Sequence, residues 1–270
     1  MTTTTNHQSL ITTLALDLGN TALKYGVFGP EGLRENGMLT DPAALTALWA
    51  RTEPAHAILA SVADEAAGQP WLAALAAVDG LGRVLPLRPG HTPVPLRVAY
   101  ATPHTLGADR LAGAVGAAAL RPGQPTLVVD AGTALKLDLV TADGTYLGGS
   151  IAPGLRMRLR ALHEFTGRLP RLELPTEAEV RAGAVQLIGT DTASSLRSGV
   201  VNGVAAEVRG LVADYRARYP GLGLLLSGGD AGYLLTALQA TLPPAASCIF
   251  AVPELVLMGL DKILRYNVED

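Results

Sequence analysis

Asp17-Leu18-Gly19-Asn20-Thr21-Ala22-Leu23-Lys24 and Asp130-Ala131-Gly132-Thr133-Ala134-Leu135-Lys136 are two versions of one phrase, and their agreement decides the reading of the chain. With Asn20 deleted they run in register and share Thr-Ala-Leu-Lys. Each follows a short apolar run, Leu14-Ala15-Leu16 in one case and Leu127-Val128-Val129 in the other. Each aspartate should therefore stand at the end of a buried strand. Leu23 to Phe28 and Leu135 to Val140 resume the extended pattern, so each phrase is the bend of a hairpin. Turn signals at Glu31-Gly32 and Asp143-Gly144 follow in both halves. Duplication of a strand-hairpin-strand unit explains the match.

Beyond the first phrase, a third strand is expected near Leu33 to Leu39. Asp41-Pro42 opens a helix, with Asp41 as N-cap and Pro42 in the first helical position. A strand near Ala57 to Ser61, an Ala-rich helix near Trp71 to Ala77 and a strand near Arg83 to Leu87 follow. The proline-rich stretch from Pro86 to Pro103 reads as an irregular crossing, ahead of a helix from Asp109 to Leu120. Arg121 to Pro125 is a linker. In the second half, strands are expected at Thr126 to Asp130, Leu135 to Val140, Tyr146 to Ile151 and Leu222 to Leu226. Helices are expected at Leu155 to Phe165, Asp191 to Arg218, Asp230 to Ala240 and Glu254 to Tyr266.

Composition excludes several classes. Of 270 residues 49% are hydrophobic and 17% charged, which rules against a disordered chain. The formal net charge of -3 gives no footprint for nucleic acid or an anionic membrane. The lysines are Lys24, Lys136 and Lys262, so two of the three sit in the matching phrases. A single cysteine, Cys248, allows no intrachain disulfide and no cysteine metal site. It stands in the apolar run Cys248 to Val252, expected to be a buried strand. His7, His56, His91, His104 and His163 show no ligand spacing. Met1 to Ser9 is polar and lacks a signal-peptide pattern, and no apolar run reaches the ~20 residues of a bilayer span. The expected location is cytoplasmic, with no membrane association.

The chemistry lies in the hairpins. A carboxylate followed by a glycine turn can hold hydrated magnesium while backbone N–H groups face phosphate oxygens. Thr21 can add a hydroxyl and Lys24 a charge, although an ordinary hairpin turn has the same appearance. Neither G-x-x-x-x-G-K-[ST] nor G-x-G-x-x-G occurs, which leaves those two routes unsupported and favours a hairpin-based phosphate site. Gly107-Ala108-Asp109-Arg110 puts a carboxylate beside an arginine at a helix start. That suits a base taking a hydroxyl proton, and equally a helix cap.

Asp17 to Lys24, Gly107 to Arg110, Asp130 to Thr133, Gly148-Gly149-Ser150-Ile151-Ala152-Pro153-Gly154 and Gly228-Gly229-Asp230 occur in this order along the chain. In order and spacing the sequence resembles the type III pantothenate kinases over nearly its whole length, the first ~10 residues being an extension. The resemblance implies an α/β fold of two duplicated actin-like (ribonuclease H-like) domains, 1–122 and 123–270, with mixed sheets flanked by helices. It implies ATP-dependent phosphorylation of pantothenate to 4'-phosphopantothenate, the first step of coenzyme A biosynthesis, by a homodimer with its substrate pocket near the interface.

The residue roles follow by the same resemblance. Asp109 matches the catalytic base, while Tyr100, Gly107, Ala108, Arg110 and Thr192 match the pantothenate site, Thr192 being reached from the second subunit. Asp17, Leu18, Gly19, Asn20, Thr21, Ala22, Leu23, Lys24 and Thr133 match the ATP site, with Asp17 holding Mg2+ through water. Asp130 matches the ligand of a monovalent cation, K+ or NH4+. Bland readings stand beside these: a half-buried loop aromatic for Tyr100, a turn carboxylate for Asp130 and a helix cap near Thr192. Asp230 is expected to cap its helix, and Arg156, Arg158 and Arg160 to form a solvated face. Where many members of the family have a small hydroxyl residue, this chain has Lys136. Pointing inward it changes nucleotide affinity or the need for the cation, and pointing outward it means little. Two rivals remain at this point: a kinase of the same fold for another small alcohol, and a non-catalytic regulator like the Bvg accessory factors.

Overall fold

The computed structural model describes residues 11–19, 22–61, 65–78, 83–239 and 249–268, so Asn20, Thr21 and Cys248 lie outside the described residues. The chain forms two compact units, one of residues 1–120 with 254–270 and the other of residues 121–253.

In the first unit β1 (Thr13–Leu18), β2 (Leu23–Gly29) and β3 (Gly32–Leu39) form an antiparallel meander. α1 (Ala43–Thr52) leads to β4 (His56–Ser61), and α2 (Glu65–Ala76) leads to β5 (Arg83–Pro86). The sheet order is β3-β2-β1-β4-β5, with β4 parallel to β1 and β5 parallel to β4. After the short β6 (Arg97–Val98) and a 3-10 turn at Pro103–Thr105, α3 (Ala108–Leu120) ends the first contiguous part of the unit. Alternation along β1 sorts its two faces. Leu14, Leu16 and Leu18 pack with Leu45, Leu48, Trp49, Trp71 and Leu75 of α1 and α2. Asp41 caps as expected, Oδ1 accepting the Ala43 N–H at 2.9 Å, and Pro42 already has helical dihedrals ahead of α1. α2 begins ahead of the expected Trp71 and runs through Pro70, which has no N–H for the helical ladder.

In the second unit β7 (Thr126–Ala131), β8 (Ala134–Val140) and β9 (Thr145–Pro153) repeat the antiparallel meander. Then come α4 (Leu155–Glu164), α5 (Glu177–Arg181), α6 (Thr192–Arg218), β10 (Gly223–Ser227), α7 (Ala231–Gln239) and β11 (Ile249–Ala251). The strands of this unit run β11-β10-β7-β8-β9, with β10 parallel to both β7 and β11. That is the layout of the first sheet repeated. Even the bulges agree: each sheet shifts register at the third and fourth residues after the phrase lysine, Val27/Phe28 and Leu139/Val140. α6 buries Val200, Val204, Val208 and Val212, spaced four apart on one stripe, against Leu127, Val129, Leu137 and Leu224. Each such side chain removed from water contributes about 1.5–3 kcal/mol to the core.

The terminal helix α8 (Leu255–Val268) groups with the first unit, whereas the reading of 123–270 as one domain had put it with the second. It packs against α3, β1 and β4. Glycines bring the two helices close: a Cβ on Gly116 would lie 2.5 Å from the Leu255 carbonyl oxygen, and one on Gly259 would meet the Ala112 carbonyl. Asp261 of α8 accepts the Thr13 hydroxyl and pairs with Arg265 at 3.0 Å, fixing the helix on β1. Two further differences concern the second unit. α5, with a capping box of Thr176 and Glu179, falls where no element was expected. β11 is an edge strand with Phe250 47% exposed rather than a buried one, because among the described residues a strand partner lies on one side alone.

Candidate active site

In the first unit the hairpin register sets Asp17 opposite Lys24. Cross-strand partners project on one face, so both belong to the face of β1 that carries Thr13 and Ala15. Asp17 is half-buried and Lys24 exposed. The Gly19 N–H donates to the Ala22 carbonyl at 3.1 Å, closing the turn. Leu18 and Leu23 are core residues, so their part in any phosphate contact falls to the backbone.

The start of α3 gathers the next group. The Gly107 carbonyl accepts the Leu111 N–H at 3.1 Å, so Gly107 holds the cap position and Asp109 sits inside the first turn. Asp109 Oδ1 accepts the Arg110 N–H at 2.8 Å. A Cβ on Gly107 would lie 2.6 Å from that oxygen, which gives the glycine its reason. Arg110 is buried beside Ala108, and its guanidinium lies 5.8 Å from the centre of the half-buried Tyr100 ring. Tyr100, Gly107, Ala108, Asp109 and Arg110 thus form one cluster, joined by a stacking contact that sequence spacing does not reveal.

In the second unit Asp130 stands opposite Lys136, and here the pair closes: Lys136 Nζ is 2.7 Å from Asp130 Oδ2, with side chains 16% and 19% exposed. The turn repeats the first, the Gly132 N–H donating to the Ala134 carbonyl at 3.1 Å. Thr133 is exposed, and its carbonyl accepts the Gly154 N–H at 3.1 Å, pinning the hairpin tip to the start of α4. Gly228, at φ +88°, brings backbone so near Asp130 that a Cβ there would come within 2.5 Å of Oδ1. Ser227, level with Asp130 in the parallel register, buries a hydroxyl that has no hydrogen-bond partner among the described residues. The Asp230 N–H donates to the Ala131 carbonyl at 2.9 Å.

Asp230 does more than precede its helix. Its buried carboxylate pairs with Arg156 at 3.3 Å; burial pushes its pKa up and Arg156 opposes that. Arg158 pairs with Glu207 of α6 at 2.6 Å. Two of the three arginines expected on a solvated face are therefore engaged with other elements, a contact made by tertiary packing alone. Asp191 caps α6 in a capping box with Ser194. Thr192 follows on the rim of an open pocket of about 490 Å3 lined by Leu162, Leu169, Gly189, Thr190, Ser195 and Leu196. Among the described residues no three His, Cys, Asp or Glu side chains gather into a metal site.

Solved structures share this architecture. A conserved Baf family protein from Campylobacter jejuni matches with TM-score 0.57 at 19% identity, over 95% of this chain and 100% of that one. A ROK family glucokinase from Streptomyces griseus, crystallised with glucose and AMPPNP, matches with TM-score 0.52 at 13% identity, over 94% and 99%. The duplicated sheets and these likenesses give the chain the same mixed α/β fold as those structures. The sequence profile of the type III pantothenate kinases matches residues 13–214. A type III pantothenate kinase from Porphyromonas gingivalis is 39% identical over 257 residues, 94% of this chain and 98% of the relative. The chain belongs to the type III pantothenate kinase family.

Proposed function

We propose that the chain transfers the γ-phosphoryl group of ATP to the primary hydroxyl of pantothenate, giving 4'-phosphopantothenate and committing pantothenate to coenzyme A. The observation that carries this reading is the α3 cluster: a carboxylate in a helical first turn with a buried arginine stacked on a tyrosine beside it. Asp109 takes the hydroxyl proton as the alcohol attacks. Arg110 and Tyr100 hold the acceptor, the guanidinium matching its carboxylate by charge-assisted hydrogen bonds. Gly107 and Ala108 leave room for it. Catalysis then comes from positioning and charge rather than covalent chemistry.

The turn from Asp17 to Lys24 binds ATP through backbone N–H groups, and Thr133 adds a contact from the second hairpin. Asp17 is a single half-buried carboxylate at a strand end, which fits a cation that keeps most of its waters. It would hold magnesium through water, and magnesium when bound neutralises the triphosphate charge. The residues around Asp130 fit a potassium or ammonium ion from solution poorly, because Lys136 already stands on Oδ2. Cytoplasmic location and a homodimer belong to the same reading, Thr192 serving the acceptor pocket of the second subunit. Leu187 and Ile188, 80% and 77% exposed just ahead of α6, offer apolar surface for that contact. Among the described residues no helix is long and apolar enough to cross a membrane.

The test is an assay of ADP formation with pantothenate and a panel of sugars, with mass detection of the phosphorylated acceptor. Phosphorylation of a sugar and none of pantothenate would move the chain to another acceptor.

A further inference from the structure

We infer that Lys136 is a built-in cation: its ammonium balances Asp130 at the second hairpin, so that turnover by this chain is independent of potassium or ammonium in solution. The inference rests on the kinase reading above and deepens it at Asp130.

Three observations carry it. The hairpin register puts Lys136 directly across from Asp130, and the ammonium lies 2.7 Å from Oδ2. Both side chains are largely withdrawn from solvent, where salt screens a pair weakly. The other carboxylate oxygen faces Gly228 backbone so near that even a Cβ would lie 2.5 Å from it. A second cation at Asp130 would have to displace the ammonium or settle beside a like charge. Lysine suits the role, being a compact point charge on a flexible stem, and tethering keeps it at high effective concentration. The repeat supplies an internal control: Lys24 holds the matching register in the first hairpin yet is exposed. Burial of Lys136 is thus a property of its surroundings, not of the shared Thr-Ala-Leu-Lys phrase.

The experiment compares the wild-type enzyme in potassium chloride and in tetramethylammonium chloride at equal ionic strength, reading pantothenate phosphorylation and Tm. Wild-type turnover and Tm are expected to be the same in both salts. Lys136→Ala is expected to gain about tenfold activation by potassium, the size of an ordinary effector coupling, with a potassium-specific rise in Tm. Lys136→Met keeps the apolar stem and serves if the alanine variant folds poorly. A wild-type enzyme that potassium activates or stabilises specifically overturns the inference. So does a Lys136 variant that potassium does not rescue, since the pair is then structural only. If pantothenate is not phosphorylated in either salt, the kinase reading fails, and the Tm comparison still decides the role of Lys136.

Discussion

Arg110 stacks its guanidinium 5.8 Å from the centre of the Tyr100 ring while its backbone N–H donates to the carboxylate of Asp109. One residue therefore ties Tyr100, proposed to bind the acceptor, to Asp109, the proposed base. Replacing Arg110 by Ala should raise KM for pantothenate at least tenfold, the equivalent of one charged hydrogen bond of about 1.5–3 kcal/mol, with a smaller change in kcat. Initial rates over a pantothenate series check this; an unchanged KM removes Arg110 from the acceptor site.

Asp109→Asn keeps the size of the side chain and removes the basic oxygen. Turnover should fall by about 10²–10⁴-fold, the usual weight of general base catalysis, while Mg-ATP binding measured by calorimetry is retained. Undiminished turnover would take Asp109 out of that role.

Gly228→Ala puts a Cβ on a left-handed backbone, where it meets the Ala131 carbonyl and comes within 2.5 Å of Asp130 Oδ1. Strain and overpacking together should cost about 1–3 kcal/mol, read as a lower urea midpoint. ATP affinity should drop as well, because the substitution disturbs the hairpin that carries Thr133. A variant as stable as the wild type would contradict this geometry.

Glu35 on β3 accepts two hydrogen bonds from Arg51 at 2.6 Å and one from the Tyr25 hydroxyl at 2.7 Å. The Arg51 hydrogen bonds, then that of Tyr25, lower its pKa to about 2 from 4.5. A lowered folded-state pKa means that its stabilisation is fully present above the unfolded value and is lost as pH falls from 4.5 toward about 2. Glu35→Gln should therefore lower Tm modestly at neutral pH, since the pair is partly exposed, and the gap should close across that acid window. Melting curves at stepped pH decide it; a gap that persists below the window would point to packing instead.

Local chemistry explains what could be read without coordinates. The two Asp-to-Lys phrases specify hairpins because an apolar strand, a glycine turn and a second apolar strand act within a few residues of each other. The helix starts near Asp191 and Asp109 are legible for the same reason, although the capping box with Ser194 and the cap position of Gly107 came from the structure. Arg156 with Asp230 and Arg158 with Glu207 were not, because those partners stand 74 and 49 positions apart. The edge placement of β11 depends on which strands pair, which its apolar run does not encode.

By itself, the amino-acid sequence determined the duplicated plan and the carboxylate near the end of each first strand, while the register facing it with a lysine came from the structure. Tertiary structure alone decided that α8 folds back onto the first unit, where Gly116 and Gly259 let two helix backbones approach. It also decided the fate of the two lysines. An identical tetrapeptide produces the same hairpin twice, since hairpins form from near neighbours. Whether its ammonium is covered depends on chain arriving from far away, as Gly154 and Gly228 do at the second hairpin.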